Sequence, residues 1–309
     1  MKGVTLEAWN TLVWREDLPD PVPGPGEVVV KVSACALNRL DLWIVKGQRG
    51  PVAFPHVLGS DVCGIVEGSG RRVIVNPALA GGGILGLARW GGYAERVAVP
   101  EADCLHWPEG LAAPLAAAFP LVFITAHHML HARGGLKAGE TVLVLGGAGG
   151  VGSAAVQLAK AAGARVLAVV GGDDKAFRVR GLGADQVIVR SAEDFVQAAG
   201  PVDLVIDPVG GEVLAKALGA LNPGGRLVTC AATAGPTATL ELKSFFLREL
   251  SVLGSFMGSR ADLEAALVLL AAGKVRPVVD TVFPMREAAR AQGILEAGEL
   301  FGKLVLVPE

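Results

Sequence analysis

The stretch Val142-Leu143-Val144-Leu145-Gly146-Gly147-Ala148-Gly149-Gly150-Val151-Gly152-Ser153-Ala154-Ala155-Val156-Gln157-Leu158-Ala159-Lys160 decides how the rest of this chain is read. An apolar, β-branched run meets a knot of glycines, and a breaker-free, alanine-rich segment follows. Within the knot, Gly147, Ala148, Gly149, Gly150, Val151 and Gly152 fit G-x-G-x-x-G between a strand and a helix. The first glycine permits the tight turn. The second lets a pyrophosphate reach the backbone, and the third lets helix and strand pack closely. The helix N-terminus then faces the anion. The stretch therefore predicts a dinucleotide site.

Outward from this turn the rhythm persists. "RVLAVVG", "DLVIDPVG" and "GRLVTCAA" are continuous apolar runs separated by helical segments such as "GEVLAKALGAL". Strands apolar on both faces that alternate with helices predict a parallel sheet covered on both sides. The first third differs. "GEVVVKVSACAL", "DVCGIVEGSG", "RRVIVNP" and "YAERVAVP" are short β-branched runs bounded by Gly or Pro, the pattern of a small, mostly β domain. After residue 255 strands and helices mix again.

A length of 309 residues suggests two domains. With 51% hydrophobic and 19% charged residues, the chain reads as packed and globular. A formal charge of −2 gives no electrostatic case for nucleic acid or an anionic membrane. Gly110 to Ala132 carries no Asp, Glu, Lys or Arg, but prolines and histidines interrupt it, and it is read as a buried helix rather than a span. "MKGVTLEAWN" has no apolar signal core, and Cys35, Cys63, Cys104 and Cys230 form no C-x-x-C pair. Free thiols and a cytoplasmic location are the expectation.

The choice of dinucleotide turns on the end of the strand "RVLAVV". An NAD-type site wants an acid there, about 20 residues past the turn. This chain offers Gly171 and Gly172, with Lys175 one turn into the next helix and Arg190 ending the adjacent strand "QVIVR". Both cations suit a 2′-phosphate, so NADPH is expected, with NADH as the alternative. Asp173 is read as a helix N-cap.

These residues resemble the medium-chain dehydrogenase/reductase superfamily, and most closely its zinc-free quinone oxidoreductase branch, the zeta-crystallin-like NADPH:quinone reductases. The carrying motifs are "ALNRLD" (36–41), "GGYAERVAVP" (91–100), "LKAGETVLVLGGAGGVGSAAVQLAKAAGA" (136–164), "DLVIDPVGG" (203–211), "LNPGGRLV" (221–228) and "GKLVLVP" (302–308). The resemblance implies an α/β fold: a GroES-like, mostly β substrate domain and a doubly wound, parallel-sheet Rossmann domain. Residues 1–117 and 256–309 would form the former and 118–255 the latter. It also implies a homodimer joined through the strand "LSVLGSF".

The same resemblance bears on metal. In zinc-dependent relatives a Cys stands where this chain has Asn38, and a Gly-His-Glu triplet where it has Gly59-Ser60-Asp61, so both ligands are missing. A zinc held by Cys35, Cys63 and His56 is the displaced-ligand alternative. Without a metal, hydride addition to a quinone or an α,β-unsaturated carbonyl is favoured, since charge delocalises onto an oxygen. Asn38, Asp41 and Trp43 match family positions lining the nicotinamide and substrate cleft, with Asn38 the candidate donor to a developing oxyanion. Thr125 matches a threonine under the cofactor, and Thr233 and Ser255 match loop positions facing the nicotinamide. His127, His128 and His131 are read as packing or surface residues. Beyond the zinc enzyme, the other alternative is a non-enzymatic dinucleotide- or RNA-binding protein.

Overall fold

The computed structural model describes residues 1–309, which divide into two compact units: Met1–Leu121 with Pro277–Glu309, and Val122–Arg276.

The second unit is built on one six-stranded, all-parallel sheet. In chain order its strands are Thr141–Val144, Arg165–Val170, Gln186–Val189, Val202–Asp207, Leu221–Thr229 and Ser251–Gly254. Across the sheet they lie 3-2-1-4-5-6, the doubly wound order. Val142, Leu143, Val144, Leu204, Val205 and Ile206 are completely buried, because the central strands are covered on both faces. The order reverses between the first and fourth strands, and there the crevice beyond their carboxyl ends opens.

The first unit holds a seven-stranded sheet and a three-stranded one. In the larger, Lys303–Val307 runs antiparallel to Glu27–Ala36, which pairs in turn with Asp61–Val66 and Arg96–Pro100. Sequence-distant ends of the chain thus share one sheet. The helix Arg39–Val45 follows directly from the Glu27–Ala36 strand.

Two expectations change. Residues 256–276 cluster with the second unit rather than with the substrate domain. The physical reason is that the helix Arg260–Ala271 is tied through Asp262 to His127 and His128 of that unit. The expected single helix over 110–132 is three pieces, Ala113–Ala117, Pro120–His127 and a π-helical turn His128–Arg133. Pro114 and Pro120 sit in the first turns of the first two pieces, where a missing N–H costs nothing. No helix is long and apolar enough to cross a membrane.

Candidate cofactor and active site

The glycine turn forms as expected. The helix Gly150–Ala161 starts on it with Gly149 as N-cap, and the first i→i−4 bond is Ser153 N–H to Gly149 O at 2.8 Å. The N–H groups of Gly150, Val151 and Gly152 precede that bond and face the strand ends, the ordinary arrangement for an anion. The glycines differ in what demands them. A Cβ on Gly152 would lie 2.1 Å from Gly146 O, so helix and strand could not keep their approach. A Cβ on Gly147 would meet the Cβ of Ala168 at 3.0 Å. A Cβ on Gly149 would meet only Gly146 O, at 3.5 Å. Nothing in the protein requires a glycine there.

Gly171, Lys175, Arg190, Thr233 and Ser255 all follow carboxyl ends of the sheet strands. Gly171 follows the second strand, and a Cβ there would meet nothing within 4 Å. Arg190, exposed, follows the third strand and donates its N–H to Val170 O at 3.0 Å, which brings it beside Gly171. Lys175 is half-buried in the first turn of the helix Asp173–Arg180. The N-cap of that helix is Gly172, so Asp173 is its first residue rather than its cap. Thr233 is exposed in the turn after the fifth strand. Ser255 follows the sixth strand and donates its N–H to Thr229 O at 2.8 Å. Its hydroxyl is buried with no protein partner. Thr125 is buried in the helix Pro120–His127.

In the first unit, Asn38 and Asp41 enter a buried polar knot. Asn38 is the N-cap of Arg39–Val45, and its N–H donates to Asp41 Oδ2 at 2.7 Å. Its side-chain Nδ2 donates to Asp61 Oδ2 at 2.9 Å and to Ala36 O at 3.4 Å, and Lys303 Nζ donates to its Oδ1. The carboxamide is therefore engaged inside the protein at both ends. Lys303 also donates to Asp61 Oδ2 at 3.0 Å, and Leu121 N–H donates to Asp61 Oδ1 at 2.7 Å. Tyr93 donates its hydroxyl proton to Asp41 Oδ2 at 3.2 Å. Burial pushes the Asp41 carboxyl up to about 6, against the pull of the Asn38 N–H and the Lys303 ammonium. Trp43, half-buried, lies two residues after Asp41 in the same helix.

Lys303, Asp61 and Tyr93 were not among the expected site residues. A signal was present: Lys303 is the one cation in the otherwise apolar strand "KLVLV".

The displaced-ligand set does not fit zinc. Ala34 pairs with Cys63 and Cys35 with Val62, so alternation along the strands sends the two thiols to opposite faces of the sheet. Burial raises both thiols, opposing the thiolate a metal needs. Cys63 donates to Ala113 O at 3.2 Å, and His56 Nε2 donates to Gly86 O at 3.0 Å. No group of three or more His, Cys, Asp or Glu side chains is arranged to hold a metal ion.

Known proteins share both halves of this geometry. Residues 24–109 match the alcohol dehydrogenase GroES-like domain, and residues 150–272 match the zinc-binding dehydrogenase family. The chain belongs to the medium-chain dehydrogenase/reductase superfamily. An acryloyl-coenzyme A reductase of Metallosphaera sedula is 31% identical, over 99% of each chain. The quinone oxidoreductase of Thermus thermophilus, solved also with NADPH, is 36% identical at a TM-score of 0.86, covering 99% of this chain and 100% of its own. A cobalt- and zinc-bound alcohol dehydrogenase of Pyrobaculum aerophilum is 30% identical at a TM-score of 0.90, covering 100% and 99%. This member of the superfamily is an oxidoreductase that uses a nicotinamide cofactor.

Proposed function

We propose that the protein is a zinc-independent, NADPH-dependent reductase of quinones or α,β-unsaturated carbonyl compounds. The observation that carries this reading is the Asn38–Asp61–Lys303 knot. Two positions where the family resemblance puts metal ligands or their neighbours are closed by an amide and a carboxylate, with an ammonium between them. An ammonium hydrogen-bonded to both oxygens disfavours a Lewis acid at that point. A reduced nicotinamide, when bound, supplies the hydride. The favoured acceptor is one whose charge delocalises without a metal.

The chain's own residues support the cofactor half of this reading. Gly149 leaves room for the pyrophosphate, and Gly150, Val151 and Gly152 offer N–H groups to it. Lys175 and Arg190 suit a 2′-phosphate beside Gly171. Thr125, Thr233 and Ser255 are assigned to the nicotinamide half, and Asn38, Asp41 and Trp43 to the substrate side. The names of relatives that reduce quinones and acryloyl-coenzyme A favour conjugated acceptors.

We also propose a homodimer. The strand Ser251–Gly254 ends the sheet, pairing on one side only. Just before it, Leu242, Phe246 and Leu247 of the helix Leu242–Leu247 are all about two-thirds exposed, at 68%, 65% and 65%. An open strand edge next to apolar side chains favours a second copy of the chain.

The deciding experiment is a turnover screen of NADPH and NADH against quinones, enones, enoyl thioesters and simple aldehydes, with metal analysis of the purified protein. Turnover of conjugated acceptors with NADPH by metal-free protein is expected. Stoichiometric zinc with turnover of simple alcohols or aldehydes alone would overturn the reading.

A further inference from the structure

Three tethers fix residues 254–262 to the helical segment that carries Thr125. Arg133, closing the π-helical turn, donates from Nε to Gly254 O at 2.8 Å. Gly258 lies against the helix so closely that a Cβ there would meet Ile124 O at 2.7 Å and His128 Cβ at 2.9 Å. Asp262 makes the third tether. Its Oδ1 accepts from His127 Nδ1 at 2.8 Å and its Oδ2 from His128 Nδ1 at 3.0 Å. Its Oδ2 also accepts the Ser259 hydroxyl at 2.7 Å and the Ser259 N–H at 2.8 Å.

This carboxylate is heavily committed. Burial pushes it up, but the Ser259 and histidine hydrogen bonds outweigh burial and hold it well below the usual carboxylate range. Adjacent residues on an α-helix point roughly 100° apart, yet His127 and His128 share one carboxylate. The winding changes from α to π between them, a local irregularity that often accompanies function.

The tethered segment contains Ser255 and a strained residue. Met257 holds φ at 47°, which a non-glycine residue keeps only when its surroundings enforce it. The Ser255 hydroxyl is buried without a partner while its N–H continues the sheet to Thr229. A buried hydroxyl left unmade is costly unless a ligand completes it.

We propose that Asp262, with His127 and His128, is a positioning set that holds residues 254–262 so that the Ser255 hydroxyl meets the carboxamide of the bound nicotinamide. This rests on the cofactor orientation given under Proposed function. The three residues act through the loop, and Ser255 is the group that touches cofactor.

The test compares a whole dinucleotide with the same molecule lacking nicotinamide. Dissociation constants are measured for NADPH and 2′-phospho-ADP-ribose, with NADH and ADP-ribose in parallel, on the wild type, Ser255→Ala, Asp262→Asn and the double variant His127→Ala/His128→Ala. All three variants are expected to weaken the dinucleotide by roughly three- to tenfold, one neutral hydrogen bond, and to leave the fragment within about twofold. An equal loss of both ligands would mean that the substitutions only loosen the domain, and would overturn the proposal. An unchanged dinucleotide affinity would overturn it too. Should Asp262→Asn fail to fold, the other two variants still decide. Failure of the wild type to bind any of the four ligands is a different result, which sinks the cofactor reading itself.

Discussion

Lys303 and Asp61 lie 242 residues apart in sequence, yet the Lys303 ammonium donates to the Asp61 carboxylate at 3.0 Å with both side chains almost sealed from water. Removing one member of a buried pair leaves the other charged and uncompensated, at a cost of about 3–5 kcal/mol. Lys303→Met is therefore expected to lower unfolding free energy by about that amount. The double variant Lys303→Met/Asp61→Asn should recover most of it. Denaturant melts of the three proteins check this, and a double variant no better than the single one refutes it.

The glycine turn separates packing from binding. Gly152→Ala should cost roughly 1–3 kcal/mol of stability, because its Cβ has no room against Gly146 O. Gly149→Ala should stay within about 0.5 kcal/mol of wild type and instead weaken dinucleotide binding. Paired thermal melts and cofactor titrations distinguish the two; similar stability losses in both variants would contradict the assignment.

Lys175→Ala and Arg190→Ala should each raise the Kd for NADPH roughly ten- to hundredfold, the size of a charge-assisted hydrogen bond, with little effect on NADH. The ratio of the two Kd values is the readout. An unchanged ratio would place the 2′-phosphate elsewhere.

Asp41 gives stability a pH dependence of definite sign. Its carboxyl is raised by burial from 3.8 in the unfolded chain to about 6. Between those values the folded state binds the extra proton, so this group's contribution falls as pH rises through the window. Asp41→Asn keeps an oxygen to accept from Asn38 and Tyr93 and has no proton to lose. The wild type minus variant difference in unfolding free energy should shrink between about pH 4 and pH 7, by a few kcal/mol. A difference that is flat or grows with pH would contradict the assignment.

Charging the apolar helix tests the dimer. Phe246→Glu/Leu247→Glu is expected to yield monomers in sedimentation velocity while the fold persists, since both side chains are exposed in the single chain. Unaltered sedimentation would remove this face from the interface.

Most of the dinucleotide unit was legible because its signals are local. The turn from Val142 to Lys160 holds strand, anion loop and helix start within one short stretch, and the apolar runs that follow are the sheet strands. What escaped was non-local. "HH" after Thr125 looked like packing because Asp262, which takes both rings, lies 135 and 134 residues away. The same omission misplaced the domain boundary: the chain after Gly254 looked free to leave, and nothing nearby in sequence shows the tether. Asn38 was legible as a site residue from its motif, but its amide looked like a donor to substrate. Only the fold shows it accepting from Lys303 and donating to Asp61. A lone lysine in an apolar strand announces that a counter-ion exists without saying which carboxylate it is.

The discontinuous first unit also orders events during synthesis. Residues 122–276 form one uninterrupted unit whose last residue is made before the first unit is complete. The Glu27–Ala36 strand meanwhile waits for its neighbour Lys303–Val307, and Asp61 waits for its ammonium. Until residues 277–309 are made, the nascent chain carries an unpaired strand edge and an unneutralised carboxylate. A released chain that ends before residue 277 would therefore hold every residue of the nucleotide unit and lack the Lys303–Val307 strand of the first.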